Sequence, residues 1–370
     1  MSADGRPDER SGACEACLRR GWLLSLLSAS LEYQCRDRWR LNDLLALGDR
    51  DLLEALGGSR RAALEARYAR FDPADLRPGE GVEAICRHRR PFPSPLRDPG
   101  APHMLNVAGG VRRLDQLTSA PAVAIIGSIR ATDYGMQMAK ALARGLAASG
   151  VTVIGGLSDG IAVAAHAGAL DVGAGTVAVM PGGLDVACPA KRRALYERVR
   201  ARGCAVAELP CGFMPQRWGQ IAGERILARL ARLTVVVEAE DSPGELAGAR
   251  LAQALGRVVA AVPGRVTSSA SHGTNALLLG GAPLVRGPAD ALELLCGPDA
   301  PAIVSMESRA ELAPRLRSML ERVGAGQDTP EKLAAGGQDA GEVLLALSEL
   351  ELMGLLARGD GGRYLPRDSP

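Results

Sequence analysis

Aromatic side chains are scarce in this 370-residue sequence: three Phe, three Trp and five Tyr make up 3% of it. Holding single-stranded nucleic acid by stacking successive bases requires a row of such rings, so extensive stacking is excluded. Lysine is scarcer still. Lys140, Lys191 and Lys332 are the only three, and arginine carries nearly all the positive charge. Together with heavy Ala and Gly use, this bias reads as the imprint of a GC-rich genome and receives no functional weight. Neither sign of charge is in excess, with 44 basic residues against 42 acidic ones and a formal net charge of +2. That excludes a histone-like or polybasic membrane binder and leaves room for a local basic patch. No apolar run reaches the roughly 18 residues a spanning helix needs, so no membrane partner is expected. The opening MSADGRPDER is polar and lacks an apolar stretch behind a basic cap, so no signal peptide is expected. Eight cysteines (Cys14, Cys17, Cys35, Cys86, Cys188, Cys204, Cys211 and Cys296) are scattered along the chain. This is not the pattern of a disulfide framework, and a cytoplasmic location is expected.

Apolar residues form 47% of the sequence and charged residues 23%, the profile of a globular protein. The length suits two or three domains. Residues 1–75 read as a helical module like SAM or helix-hairpin-helix domains. Leu41, Leu44, Leu45, Leu52, Leu53 and Leu56 recur at helical spacing, with Asn42 or Asp43 as a candidate cap. Residues 76–113 are rich in Pro and Arg (HRRPFPSPLRDPGAP) and read as an extended linker. Residues 114–300 alternate short Val/Ile/Ala runs with amphipathic stretches. The runs are Val123–Ile126, Val151–Ile154, Thr176–Met180, Ala205–Ala207, Thr234–Val237 and Val258–Val262, with Leu284–Arg286 as a weaker seventh. Runs apolar on both faces belong to a buried parallel sheet, so the expected class is α/β: a Rossmann-like, doubly wound, mostly parallel sheet. Ligands of such sheets sit at the strands' carboxyl ends. Residues 301–370 read as three helices and a terminal hairpin, the outline of a winged helix. Its third helix carries Asp339, Glu342, Glu349 and Glu351 and no basic residue, which suits protein contact better than DNA phosphate.

Four glycine-rich turns follow the strands. Gly127-Ser128-Ile129-Arg130-Ala131-Thr132 offers a hydroxyl, a positive charge and the amides of a helix start capped by Thr132 or Asp133, a setting that favours an anion. It is not a G-x-G-x-x-G fingerprint, so no dinucleotide cofactor is expected. Gly156-Leu157-Ser158-Asp159-Gly160 satisfies G-x-S-x-G between a strand and a helix, with Asp241 and His272 following in the order of a hydrolase triad. The same residues also serve as a plain helix cap. Pro181-Gly182-Gly183 ends the third strand, and His272-Gly273-Thr274-Asn275 opens a later helix, where it either holds a phosphate or only caps. Cys14-x-x-Cys17 and Cys86-x-His88 each have metal-ligand spacing. Nothing in the sequence brings the two pairs together, so no metal site is assigned.

Taken in order, the segments AVAIIGSIRATDYGMQMAKALARGLAASGVTVIGGLSDGIAVAAHAGAL, GLDVACP, IAGERI, VVVEA, AVPG and HGTNALL resemble the DNA-processing protein A family (DprA, also called Smf) over roughly Val123 to Leu295. The resemblance implies a non-enzymatic, homodimeric protein that binds single-stranded DNA, protects incoming strands and loads the recombinase RecA during natural transformation. It also implies a DNA site at Gly127, Ser128, Arg130, Thr132, Gly156, Gly160, Arg225, Gly244, Gly273, Thr274 and Asn275, with Arg130 and Arg225 neutralising phosphates. Several family positions are altered. Ile129 stands at an Arg position, Ala162 at an Asp position, Gly223 and Glu224 at an Arg-Asn pair, and Pro243-Gly244-Glu245-Leu246 replaces Ser-Gly-Ser-Leu. Glu224 and Glu245 would repel phosphate, and only Trp218 and Phe213 are near enough to stack. Two alternatives follow: a scaffold of the same fold that has lost DNA binding and acts through protein contacts, or a serine or nucleotide hydrolase on the Gly156–Gly160 turn.

Overall fold

Leucine packing organises the first 70 residues. In the structure, a computed structural model, five helices follow one another: α1 Glu15–Leu26, α2 Ser28–Gln34, α3 Arg38–Ala46, α4 Asp49–Gly57 and α5 Arg61–Ala69. The described residues are 12–76, 79–186, 190–297, 314–324, 327–335, 339–352, 356–359 and 362–366. MSADGRPDER, Cys188 and the rest of 187–189 in the GLDVACP segment, the 301–313 start of the third region, and Gly361 lie outside them. The cap of α3 is Asp37, whose carboxylate accepts from Arg40 N at 3.0 Å. Asn42 and Asp43, expected as caps, lie inside that helix. Leu23, Leu31, Leu41, Leu52 and Leu56 are buried with Trp218, Ile221 and Ala222 from much later in the chain.

The segment expected to be a linker supplies two strands, β1 Val82–Cys86 and β2 Met104–Ala108, paired antiparallel with Ile85 opposite Leu105. Between them the Pro-rich stretch is anchored by Phe92 and Leu96, both buried. Its Pro and Arg content dominated the sequence pattern, although all five residues of β2 are buried.

Then come α6 Val111–Ser119, β3 Ala122–Ile126, α7 Asp133–Ala148, β4 Thr152–Gly156, α8 Ile161–Asp171, β5 Thr176–Val179, α9 Ala190–Arg202 and β6 Cys204–Ala207. They are followed by α10 Arg217–Leu230, β7 Leu233–Val236, α11 Ala247–Ala254, β8 Val258–Ala261, α12 His272–Leu279 and α13 Pro288–Cys296. The sheet order is β1-β2-β6-β5-β4-β3-β7-β8, parallel from β6 to β8, with β2 antiparallel to β6. Leu284 makes a single parallel bridge to Ala261 instead of a seventh strand. Val123, Val153 and Val235 pack on one face against Leu142 and Leu146 of α7 and Leu292 of α13. Ile154 and Val177 pack on the other against Ile226 and Leu230 of α10. After β6 the chain returns to lay β7 beside β3, so the order reverses there. A crevice at the carboxyl ends of β3 and β7 follows from that topology.

The chain divides into two compact units, Met1–Ile303 and Val304–Pro370. The second contains α14 Pro314–Gly324, α15 Pro330–Ala334, α16 Ala340–Leu352 and a hairpin of β9 Leu356–Arg358 and β10 Tyr364–Pro366. Thr329 caps α15, and Leu316, Leu333, Leu347, Leu350 and Tyr364 form its core.

Candidate nucleic-acid interface

The turn after β3 lies against the end of β7. Ser128 N donates to Glu238 O at 2.7 Å, and Val237 N donates to Ile126 O at 3.0 Å. A Cβ at Gly127 would collide with the Glu238 carbonyl oxygen, so the turn requires glycine. Thr132 caps α7 by accepting from Gly135 N at 3.2 Å. The anion at this helix start comes from the chain itself. The carboxylate of Glu238, 2% exposed, accepts from Thr132 N at 2.8 Å and from the Thr132 hydroxyl at 2.7 Å. Glu245 acts similarly on the neighbouring turn, accepting from Ser128 Oγ at 3.0 Å and from Glu240 N at 2.8 Å. Ser128 is only 4% exposed, so its hydroxyl serves the fold and is not offered to solvent. Arg130 does reach out, 78% exposed, with Nη2 at 3.8 Å from Glu240. Ile129 beside it is also exposed.

The second turn locks onto the first. Gly160 has φ +75°, and a Cβ there would strike Ser128 O; Ile161 N donates to the same oxygen at 3.2 Å. Gly156, the last residue of β4, is half-buried. The start of α9 brings cations to this turn. Lys191 Nζ lies 2.5 Å from Asp159, and Arg192 donates to Leu157 O at 2.6 Å while Arg193 is exposed. The Lys191 hydrogen bond holds the Asp159 carboxyl below its ordinary value. Sequence reasoning did not pick out Lys191 and Arg192. The only signal was a Lys-Arg-Arg run opening a helix after a glycine turn.

Arg225 corrects the expectation of a phosphate-binding arginine. It is 1% exposed, with Nη2 at 2.5 Å from Glu208 and Nη1 donating to Gly100 O at 2.9 Å. Glu224 is held by Arg38 of α3 at 3.0 Å, and burial pushes its carboxyl up. Arg217 pairs with Glu32, and Arg229 is buried. Arg232 precedes β7 and so stands at the sheet's opposite edge. Trp218 is fully buried, donates from Nε1 to Ser28 Oγ at 2.9 Å and meets Phe213 edge-on, so it is not a stacking platform.

The Gly273–Asn275 segment is also engaged internally. Gly273 N donates to Ala239 O at 2.8 Å, buried Thr274 donates to Ser271 O at 3.1 Å, and Asn275 exchanges two hydrogen bonds with Gly264. Gly244 is exposed. The arrangement needed by a serine hydrolase is not assembled: neither Asp241 nor His272 hydrogen-bonds Ser158 among the described residues. His166 is fully buried, Nε2 donating to Gly156 O at 2.8 Å and Nδ1 lying 2.9 Å from the Thr176 hydroxyl. Burial drives its pKa down to about 4, which keeps the ring neutral. Away from this edge, the structure does what the sequence could not and brings Cys14, Cys17, Cys86 and His88 together, their ligand atoms all within 4.8 Å of one another.

A mostly parallel sheet of this order, with glycine turns on its carboxyl edge, defines a Rossmann-like, doubly wound α/β protein. The family model for DNA recombination-mediator protein A matches residues 83–296. A Mycobacterium tuberculosis relative carrying the DprA name is 41% identical over 262 residues, covering 68% of this chain and 66% of that protein. The match therefore spans just under two thirds of that relative's length. The X-ray structure of DprA from Streptococcus pneumoniae superposes with a TM-score of 0.60 at 27% identity, over 75% of this chain and 95% of that one. DprA from Helicobacter pylori, whose structure describes a single-stranded DNA binding mode, gives 0.50 at 27% identity over 57% and 93%. The chain belongs to the DNA recombination-mediator protein A (DprA/Smf) family.

Proposed function

We propose that this chain binds single-stranded DNA along the carboxyl edge of its sheet, without catalysis, and as a homodimer hands the strand to RecA. Arg130 carries the reading: it is an exposed cation at the topological switch point of a fold whose H. pylori relative binds single-stranded DNA. Lys191 and Arg192 extend the positive track past the second turn, while Gly127, Gly156 and Gly160 let the backbone of the turns come close. Thr132 and Gly244 border the same edge, whereas Arg225 is spent on Glu208 and Gly100 O. Glu238, Glu240 and Glu245 lie close by, so the contact is electrostatically shallow. In this reading the second unit is a winged-helix-like module for protein contact, its acidic helix α16 already pairing Glu349 with Arg315.

The test is fluorescence anisotropy of the purified chain with labelled oligo-dT at two salt concentrations, alongside light scattering for the dimer and capture of RecA. Binding is expected to weaken with salt by a log–log slope of about −0.7 per phosphate contacted. Arg130→Ala and Lys191→Ala each flatten that slope by about one contact, and Ile129→Arg steepens it. The inward-turned Arg225 and the carboxylates at both turns favour one second reading, a scaffold that has lost DNA binding. No binding by folded protein would establish that reading instead.

A further inference from the structure

Cys14 is the residue at the start of α1, Cys17 lies in its first turn, Cys86 ends β1 and His88 follows in the next turn. Seventy-two residues separate Cys14 from Cys86, yet Cys14 N donates to Cys86 Sγ at 3.3 Å. His88 Nδ1 stands 3.4 Å from Cys14 Sγ and 3.3 Å from Cys17 Sγ. In a tetrahedral zinc site, bond lengths of about 2.3 Å to sulfur and 2.0 Å to nitrogen place ligand atoms about 3.5–3.8 Å apart. The side chains are therefore already near coordination distance. Cys17 and Cys86 are buried and Cys14 is half-buried, which shelters three of the four donors from water.

We propose that Cys14, Cys17, Cys86 and His88 form a structural zinc site that clamps the first helix to the edge strand of the sheet. Three sulfurs and one imidazole are a soft donor set, suited to zinc and not to magnesium or calcium. Four protein ligands leave no open position, so the site holds structure and activates no water. On binding, the three thiol protons leave to solvent and the imidazole coordinates through Nδ1. The positive end of α1 faces the thiolates, and the Cys14 amide stabilises that of Cys86, the kind of outer hydrogen bond that orients metal ligands. All three cysteines are free thiols in the structure, although two of them form a C-x-x-C pair.

The full chain, purified without chelator under reducing conditions and supplied with zinc, is expected to retain close to one equivalent by elemental mass spectrometry. A Cys14→Ser/Cys86→Ser variant is expected to lose at least nine-tenths of it. Cobalt substitution is expected to give intense d–d bands of tetrahedral geometry with sulfur-to-cobalt charge transfer. His88→Cys should keep the metal and strengthen the charge-transfer band, which decides the matter even if the double serine variant fails to fold. Folded protein with substoichiometric zinc, a Cys14–Cys17 disulfide forming under these conditions, or zinc content unchanged by the double substitution would each overturn the site.

Discussion

Arg225 and Arg130 have the same side chain and opposite surroundings. Arg225 is sealed against Glu208, and removing one partner of a buried pair strands the other's charge. Arg225→Ala is therefore expected to destabilise the protein by about 3–5 kcal/mol, read from the urea midpoint. Arg130→Ala is expected to leave stability within about 0.5 kcal/mol, as for an exposed substitution. A DNA affinity that fell with Arg225→Ala while stability held would show that the buried position had been misjudged. His166 gives a pH dependence. Its folded pKa is near 4 against an ordinary 6.5, so the unfolded chain takes up a proton that the folded one refuses. Its contribution is complete above pH 6.5 and is lost as the pH falls towards 4. Between pH 7 and 5 the loss is about 2 kcal/mol. His103, also lowered to about 4 by burial and by Arg20 and Arg87, adds in the same direction. His166→Gln should flatten the slope of urea midpoint against pH over this range; an unchanged slope would remove His166 from the account.

Helix α10 is the element on which most depends, because its two faces serve two cores. Ile226 and Leu230 pack under the sheet, while Trp218, Ile221 and Ala222 complete the leucine cluster of the N-terminal helices. Truncating Trp218 to Ala is expected to cost about 3–5 kcal/mol and to make α1–α5 the first region cut in limited proteolysis. The strands β3 to β8 were legible because each is a short, nearly continuous apolar run dominated by Val, Ile and Ala, and all but β7 have a glycine close to one end. β1 and β2 were hidden, since VEAIC and MLNVA are short and flank a stretch whose prolines and arginines announce a linker. The turns were legible as glycine sites but not as self-satisfied ones. Glu238 and Glu245 reach Thr132 and Ser128 across more than 100 residues, a pairing no local pattern reveals. Lys191 and Arg192 became candidates only once β5 had been laid beside β4.

At the scale of the whole molecule, the helical module and the α/β sheet share one compact unit, Met1–Ile303, and the remainder is a second. The leucines of α1–α5 find Trp218 and Ile221 only in α10. Those leucines leave the ribosome before their partner, which follows roughly 150–200 residues later, about 8–40 s at ordinary elongation rates. Throughout that interval the nascent chain carries an apolar face whose α10 partners, Trp218, Ile221 and Ala222, have yet to be made. A fragment ending before α10 is therefore expected to keep that apolar face exposed and to aggregate where the full chain stays in solution.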